Sequence, residues 1–92
     1  MNKDIIKAHK FSFKNKDKLL QDKLCGCFCC LKIFSPDKFS DNDWVVEPDG
    51  EETALCPYCG VDSVISESSG YPITKEFLSE MRQYWCSEDK EE

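Results

Sequence analysis

Two Cys-x-x-Cys pairs, Cys27-Phe28-Cys29-Cys30 and Cys56-Pro57-Tyr58-Cys59, constrain this chain more than any other feature of it. Two residues between thiols let one tight turn aim both sulfurs at a single point, with backbone N–H groups turned toward the sulfurs. Two such turns supply the four thiolates that a tetrahedral zinc ion takes. Pro57 presets φ inside the second turn, and Gly60 just after it tolerates the positive φ and close approach that such a turn leaves behind. One structural Zn2+ held by Cys27, Cys30, Cys56 and Cys59 is the expectation. Four thiolates fill the coordination shell and leave no open position for water or substrate. No catalytic residue is assigned, and the protein is expected not to be an enzyme.

A chain of 92 residues makes one domain with a modest core, and cores of that size are often supplemented by a metal or disulfides. Disulfides are the competing use for its seven cysteines. The polar opening Asn2-Lys3-Asp4, the lack of an apolar signal segment and the odd cysteine count favour a reducing cytoplasm instead. No apolar run approaches the roughly 18 residues that span a bilayer.

At the first pair Cys25, Cys27, Cys29 and Cys30 crowd together, and spacing selects Cys27 and Cys30 as the only x-two pair. Phe34 then falls four residues after the second thiol, where a zinc knuckle commonly places an aromatic against the core. Cys29 is expected to point away from the metal. Cys25 is left with two readings, a ligand in place of Cys27 or a separate role.

The remaining pattern is a set of short elements. Asn15 reads as the N-cap of a helix over residues 16–24, whose Leu19, Leu20 and Leu24 form an apolar edge. Ser35 and Pro36 open one or two helical turns over 36–41. Trp44-Val45-Val46 and Glu52-Thr53-Ala54-Leu55 flank the turn residues Pro48-Asp49-Gly50, which predicts a hairpin over 44–55 with a loop of about five residues. Val61 to Ile65 fits either a helical turn or a strand. Thr74 caps a helix over 74–86 with an apolar face of Phe77, Leu78, Met81, Tyr84 and Trp85, and Ile73 and Leu78 have the spacing of a hydrophobic staple. Residues 1–14 suggest a short helix and then an extended piece. Residues 87–92 are a charged tail expected to be disordered.

The order of knuckle, Trp-bearing hairpin and Leu-Cys-x-x-Cys-Gly is similar to a GATA-type treble clef, in which the second pair opens a helix. The expected fold is therefore a small zinc-stabilised α+β one. Its treble-clef-like module of knuckle, β-hairpin and second knuckle is flanked by N- and C-terminal helices, and a zinc ribbon is the alternative. It divides into a basic helical segment packed on the module (1–24), a zinc-binding domain ending in the amphipathic helix (25–86) and the acidic tail (87–92).

Ala8-His9, Asn15, Cys25-Gly26-Cys27-Phe28, the run from Ala54 to Ile65 and Gly70-Tyr71-Pro72-Ile73-Thr74, read together, resemble a family of small bacterial proteins described only as cytoplasmic proteins. The resemblance covers nearly the whole chain and implies no activity. Two positions depart from it: Cys29 stands where an aromatic residue is usual, and Cys86 where the last helix usually ends in Phe. Both read as small buried hydrophobes.

Charge bears on partners. Residues 1–34 carry eight Lys against three Asp, a net +5, while residues 35–92 carry four Lys or Arg against fifteen Asp or Glu, a net −11, giving −6 in all. An acidic body repels phosphate backbones and disfavours nucleic acid. The lysines of the first segment read as a solvated face, and His9 as an ordinary exposed or hydrogen-bonded histidine. A nucleophilic Cys25 with His9 as base and Asn15 as orienter would be the enzymatic reading of the same residues. Trp44, Tyr58, Tyr71, Tyr84 and Trp85 exceed what a four-cysteine module can enclose, so some are expected to form a binding surface. The functional expectation is a protein-interaction module of the immunity, inhibitor or regulator type with a basic protein partner. The alternative is a nucleic-acid-binding zinc finger that uses the basic N-terminal segment.

Overall fold

In the computed structural model, which describes residues 3–86, a small sheet divides the interior into two cores. The strands are β1 (Cys25–Cys27), β2 (Ile33–Phe34) and β5 (Val64–Ser66), antiparallel in the order β2-β1-β5. Side chains alternate across a strand. Val64 accordingly faces one core with Leu19, Cys25, Cys27, Phe34, Ala54 and Cys56, while Ile65 faces the other with Ile5, Ala8, Phe28, Phe77, Leu78 and Met81. The first of these cores holds Cys27 and Cys56, one from each cysteine pair. The second is roofed by helices α1 (Lys3–Ala8) and α3 (Lys75–Met81).

Gly26, at the centre of β1, permits that roof. A Cβ there would stand 2.7 Å from Leu78 Cδ1 and 3.1 Å from Ile73 Cγ2, so the fully buried Leu78 would have to shift. Thr74 caps α3 as expected, its hydroxyl accepting from Phe77 N at 3.2 Å. The α-helix gives way at Arg82 to a π-helical turn over Arg82–Cys86. A wider turn shifts the residues within it off the 3.6-residue period of the buried face. Phe77, Leu78 and Met81 are buried as expected, whereas Trp85 is half-buried and Tyr84 exposed.

α1 continues into a 3-10 turn, His9–Ser12, and α2 spans Lys16–Gln21, shorter than the expected 16–24. Only Leu19 of its predicted apolar edge is fully buried; Leu20 is 60% exposed. The 3-10 turn Pro36–Lys38 is capped by the Ser35 hydroxyl, and a second, Asp41–Asp43, leads into the predicted hairpin of β3 (Trp44–Val46) and β4 (Glu52–Ala54).

The clearest departure follows the second cysteine pair. Where the treble-clef reading places a helix, the chain forms strand β5 and pairs with β1, Gly26 opposite Ile65 and Cys27 opposite Val64. The physical reason is the composition of Val64 and Ile65, one β-branched residue for each core, which only an extended backbone can deliver to opposite faces. The predicted tail at 87–92 lies outside the described residues.

Candidate metal centre

β1 runs into the first knuckle and β2 leaves it. Cys27 N donates to Lys32 O at 3.0 Å and Leu31 N to Cys27 O at 2.9 Å, closing a loop around Phe28, Cys29 and Cys30. The second knuckle repeats the pattern: Cys56 N donates to Val61 O at 2.9 Å and Gly60 N to Cys56 O at 2.8 Å. In each loop the residue after the second thiol has a positive φ, 66° at Leu31 and 80° at Gly60. Gly60 was legible as such a residue. Leu31 was not, because nothing in its side chain marks a left-handed backbone.

The two loops bring the sulfurs of Cys27, Cys30, Cys56 and Cys59 together, all within 4.8 Å of one another. Cys27 and Cys59 lie 3.6 Å apart and Cys30 and Cys56 3.7 Å apart. Four sulfurs about 2.3 Å from a tetrahedral ion would be about 3.8 Å apart, so the donor set fits one metal ion. The sulfurs also receive backbone N–H groups: Cys27 from Cys29 at 3.3 Å and Cys30 at 3.4 Å, and Cys56 from Tyr58 at 3.4 Å. Buried Ser63 adds a contact that the spacing did not reveal, its Oγ 2.9 Å from Cys27 Sγ.

These donors divide the thiols. Burial works against a thiolate at Cys27, yet the N–H groups of Cys30 and Cys29 and the Ser63 hydroxyl outweigh it and leave the thiol below its ordinary value. Burial pushes Cys56 well up, against the N–H groups of Tyr58 and Cys59, and the negative charge favoured at Cys27 pushes it further. Cys59 is also raised, first by burial and then by its hydrogen bond to Cys27. These hydrogen bonds favour negative charge at Cys27 over Cys56 and Cys59.

Cys25 stands apart from this group. Its Sγ meets Phe34 O at 3.4 Å, and burial first, then Asp22 and Cys27, push its thiol up to about 12. Phe34 is buried as expected and its ring meets Tyr58 edge-on at 5.3 Å. His9 rests against Trp85, ring centroids 3.9 Å apart. Asn15 is buried with backbone partners, so Cys25, His9 and Asn15 each have partners other than one another.

Asn15 stands at the N-cap of α2 as expected, its carbonyl accepting from Leu19 N at 3.0 Å, but the work of its side chain was not legible in the sequence. Its side chain makes no capping bond to α2. Instead Oδ1 accepts from Ala54 N at 3.0 Å, while Nδ2 donates to Val64 O at 2.8 Å and to Phe11 O at 3.0 Å. β4 and β5, which bracket the second knuckle, do not pair with each other. The amide of Asn15 ties the two together in place of a ladder.

A second correction concerns Cys29 and Cys86. They are not separate small hydrophobes but are joined in a disulfide across 57 positions of sequence, with Cα atoms 5.8 Å apart. Cys25, Cys27, Cys30, Cys56 and Cys59 are free.

No family model, curated protein or solved structure matches the chain. No helix among the described residues is long and apolar enough to cross a membrane.

Proposed function

We propose that the protein is a non-enzymatic structural-zinc protein whose metal-held surface binds another protein, in the manner of an immunity protein, an inhibitor or a small regulator. The observation that carries this reading is the closed donor set: four thiols converge, and none of the four positions is left to a solvent ligand. The all-sulfur set favours zinc over harder cations such as magnesium and calcium. The cytoplasmic setting belongs to the same proposal.

The surface supports a protein partner over nucleic acid. Lys14 and Lys16, part of the basic N-terminal segment, are turned onto the hairpin, where they pair with Asp49 at 2.7 Å and Glu52 at 3.1 Å. The hairpin and its approach retain exposed Asp41 and Glu51, with half-buried Asp43, beside Val45 at 40% and Val46 at 67% exposure. Apolar side chains inside an acidic rim suit a basic protein surface, and such charge chiefly speeds encounter.

Elemental analysis of the purified chain should give one zinc per molecule, and chelation should abolish tertiary structure, because binding contributes on the order of 10 kcal/mol to folding in such sites. Loading must displace the protons held at Cys56 and Cys59, so metal affinity falls as the solution is acidified. A chain that folds without metal, or that carries two ions, overturns the metal assignment. For the interaction reading, fluorescence anisotropy against mixed DNA and RNA at physiological salt should show only weak binding, while capture of a protein partner should weaken when Asp41, Asp43 and Glu51 are neutralised. Submicromolar, sequence-dependent nucleic-acid binding that vanishes without residues 1–24 would replace the protein-interaction reading with the zinc-finger alternative.

A further inference from the structure

The Cys29–Cys86 disulfide lies in the chain of contacts that steadies the first knuckle. Cys29 sits between two metal ligands, and its backbone N–H donates to the sulfur of one of them, Cys27, at 3.3 Å. Its carbonyl accepts from the Arg82 guanidinium at 3.1 Å, and its sulfur is bonded to Cys86, so both its partners belong to the π turn Arg82–Cys86. That turn is anchored in its own right. Trp85 Nε1 donates to Ile5 O at 2.9 Å, and the indole lies 3.9 Å from the His9 ring. A line of contacts therefore runs from α1 through Trp85, Cys86 and Cys29 to Cys27. The knuckle backbone at residues 28–30 cannot swing away from the metal without moving the C-terminal turn.

The two kinds of cysteine in this molecule require opposite redox states. The four clustered sulfurs bind metal only as thiolates, while Cys29 and Cys86 hold the turn only when oxidised. Bound metal shields its ligands from oxidation and leaves the half-buried Cys29–Cys86 pair as the one that exchanges. We propose that Cys29 and Cys86 form a reversible thiol–disulfide site, with a dithiol as its reductant, that latches the C-terminal turn across the first knuckle and slows the departure of the metal.

The exchange balances without any further reagent. One thiolate of the dithiol attacks a sulfur of the pair and forms a mixed disulfide, and the other cysteine leaves with the electron pair of the broken bond and takes up a proton. The second thiol of the reductant then closes the reductant's own disulfide and releases the remaining cysteine. Two electrons and two protons pass to Cys29 and Cys86, and the reverse reaction with an oxidised dithiol restores the latch.

The inference goes beyond the interaction reading and draws on its metal assignment for one of three readouts. The full-length, metal-loaded protein is treated with reduced or oxidised dithiothreitol, the reagent is removed, and thiols are alkylated under denaturing conditions with chelator and counted by mass. The oxidised sample should show five thiols and the reduced sample seven, the number in the sequence. Hydrogen exchange at the amides of residues 82–86 should accelerate on reduction. Transfer of the metal to a chromophoric chelator should be severalfold faster from the reduced protein, and Cys86→Ser should transfer at the fast rate in either condition. Seven thiols after oxidation, or equal exchange and equal transfer in the two states of the wild-type chain, would overturn the latch. A protein that carries no metal fails the zinc assignment, and the latch is then decided by the thiol count and the amide exchange alone.

Discussion

The two knuckles share one backbone design and differ in what holds it. Each closes with the same pair of hydrogen bonds and a left-handed residue after the second thiol. The first is embedded: Cys27 is inaccessible, Phe28 reaches the helix-roofed core, Cys29 is bonded to Cys86, and β1 and β2 pair directly on either side. The second is hung out: Cys59, Gly60 and Val61 are exposed, Tyr58 is 48% exposed, and the flanking strands are linked through a side chain rather than to each other. Where packing holds the turn, its sequence can be unfavourable, as with leucine at φ 66°. Where only Cys56 and one face of Tyr58 pack, the local residues must specify the turn themselves, as Pro57 and Gly60 do.

The largest test of this asymmetry lies in the ligands. Cys27→Ser removes one thiol of the candidate metal site and also the acceptor of the Cys29 and Cys30 N–H groups and the partner of Ser63, all in a buried place. Cys59→Ser removes a ligand at a site that water can reach. Both should impair zinc retention, with Cys27→Ser failing to fold and Cys59→Ser keeping a folded fraction that binds metal weakly. Competition with a chromophoric chelator and circular dichroism measure the two effects. Equal loss of structure in the two variants would remove the distinction between an embedded and an exposed knuckle. Cys25→Ser serves as the control and should leave zinc in place; release of zinc by Cys25→Ser but not by Cys27→Ser would mean that the first knuckle uses Cys25 in place of Cys27.

A smaller effect, confined to one knuckle, is expected at Asn15. Asn15→Ala strands Ala54 N, Val64 O and Phe11 O, at a cost of roughly 2–4 kcal/mol for buried groups left without partners. Amides of residues 56–61 should lose hydrogen-exchange protection more than those of residues 27–32, since Asn15 binds β4 and β5 and not β1 and β2. Equal loss at both knuckles would mean that Asn15 supports the whole module rather than the second loop.

The same division explains what could be read from the sequence. The clustering of Cys27, Cys30, Cys56 and Cys59, the hairpin, the Ser35 and Thr74 caps and the buried Phe34 were legible because each is specified within a few neighbouring residues, by thiol spacing, turn chemistry or side-chain capping. The side-chain role of Asn15 was missed because an asparagine before a helix is locally a cap, which its position is, and only distant Ala54 and Val64 make it a bridge as well. Strand β5 stayed one of two readings because Val64 and Ile65 fit either period until β1 supplies a partner. Leu31 and the Cys29–Cys86 bond gave no local sign, one being a backbone state imposed by packing and the other a pairing across 57 positions.

The smallest expected effect is the most direct comparison, an exchange of the two left-handed residues. Gly60→Leu gives the exposed knuckle the residue found in the embedded one. No atom lies within 4 Å of where its Cβ would stand, so the change meets no clash and its cost is that of a branched side chain at φ 80°, roughly 1–2 kcal/mol. Leu31→Gly relieves the same strain but frees the unfolded chain and removes a side chain packed at the rim of the helix-roofed core. These terms offset one another, and the net change should be a loss of about 1 kcal/mol or less. Denaturant unfolding at a fixed, saturating zinc concentration measures both. If Leu31→Gly stabilises the protein while Gly60→Leu is neutral, then packing does not hold Leu31 in its left-handed state, and the two knuckles do not differ in the way their surroundings imply.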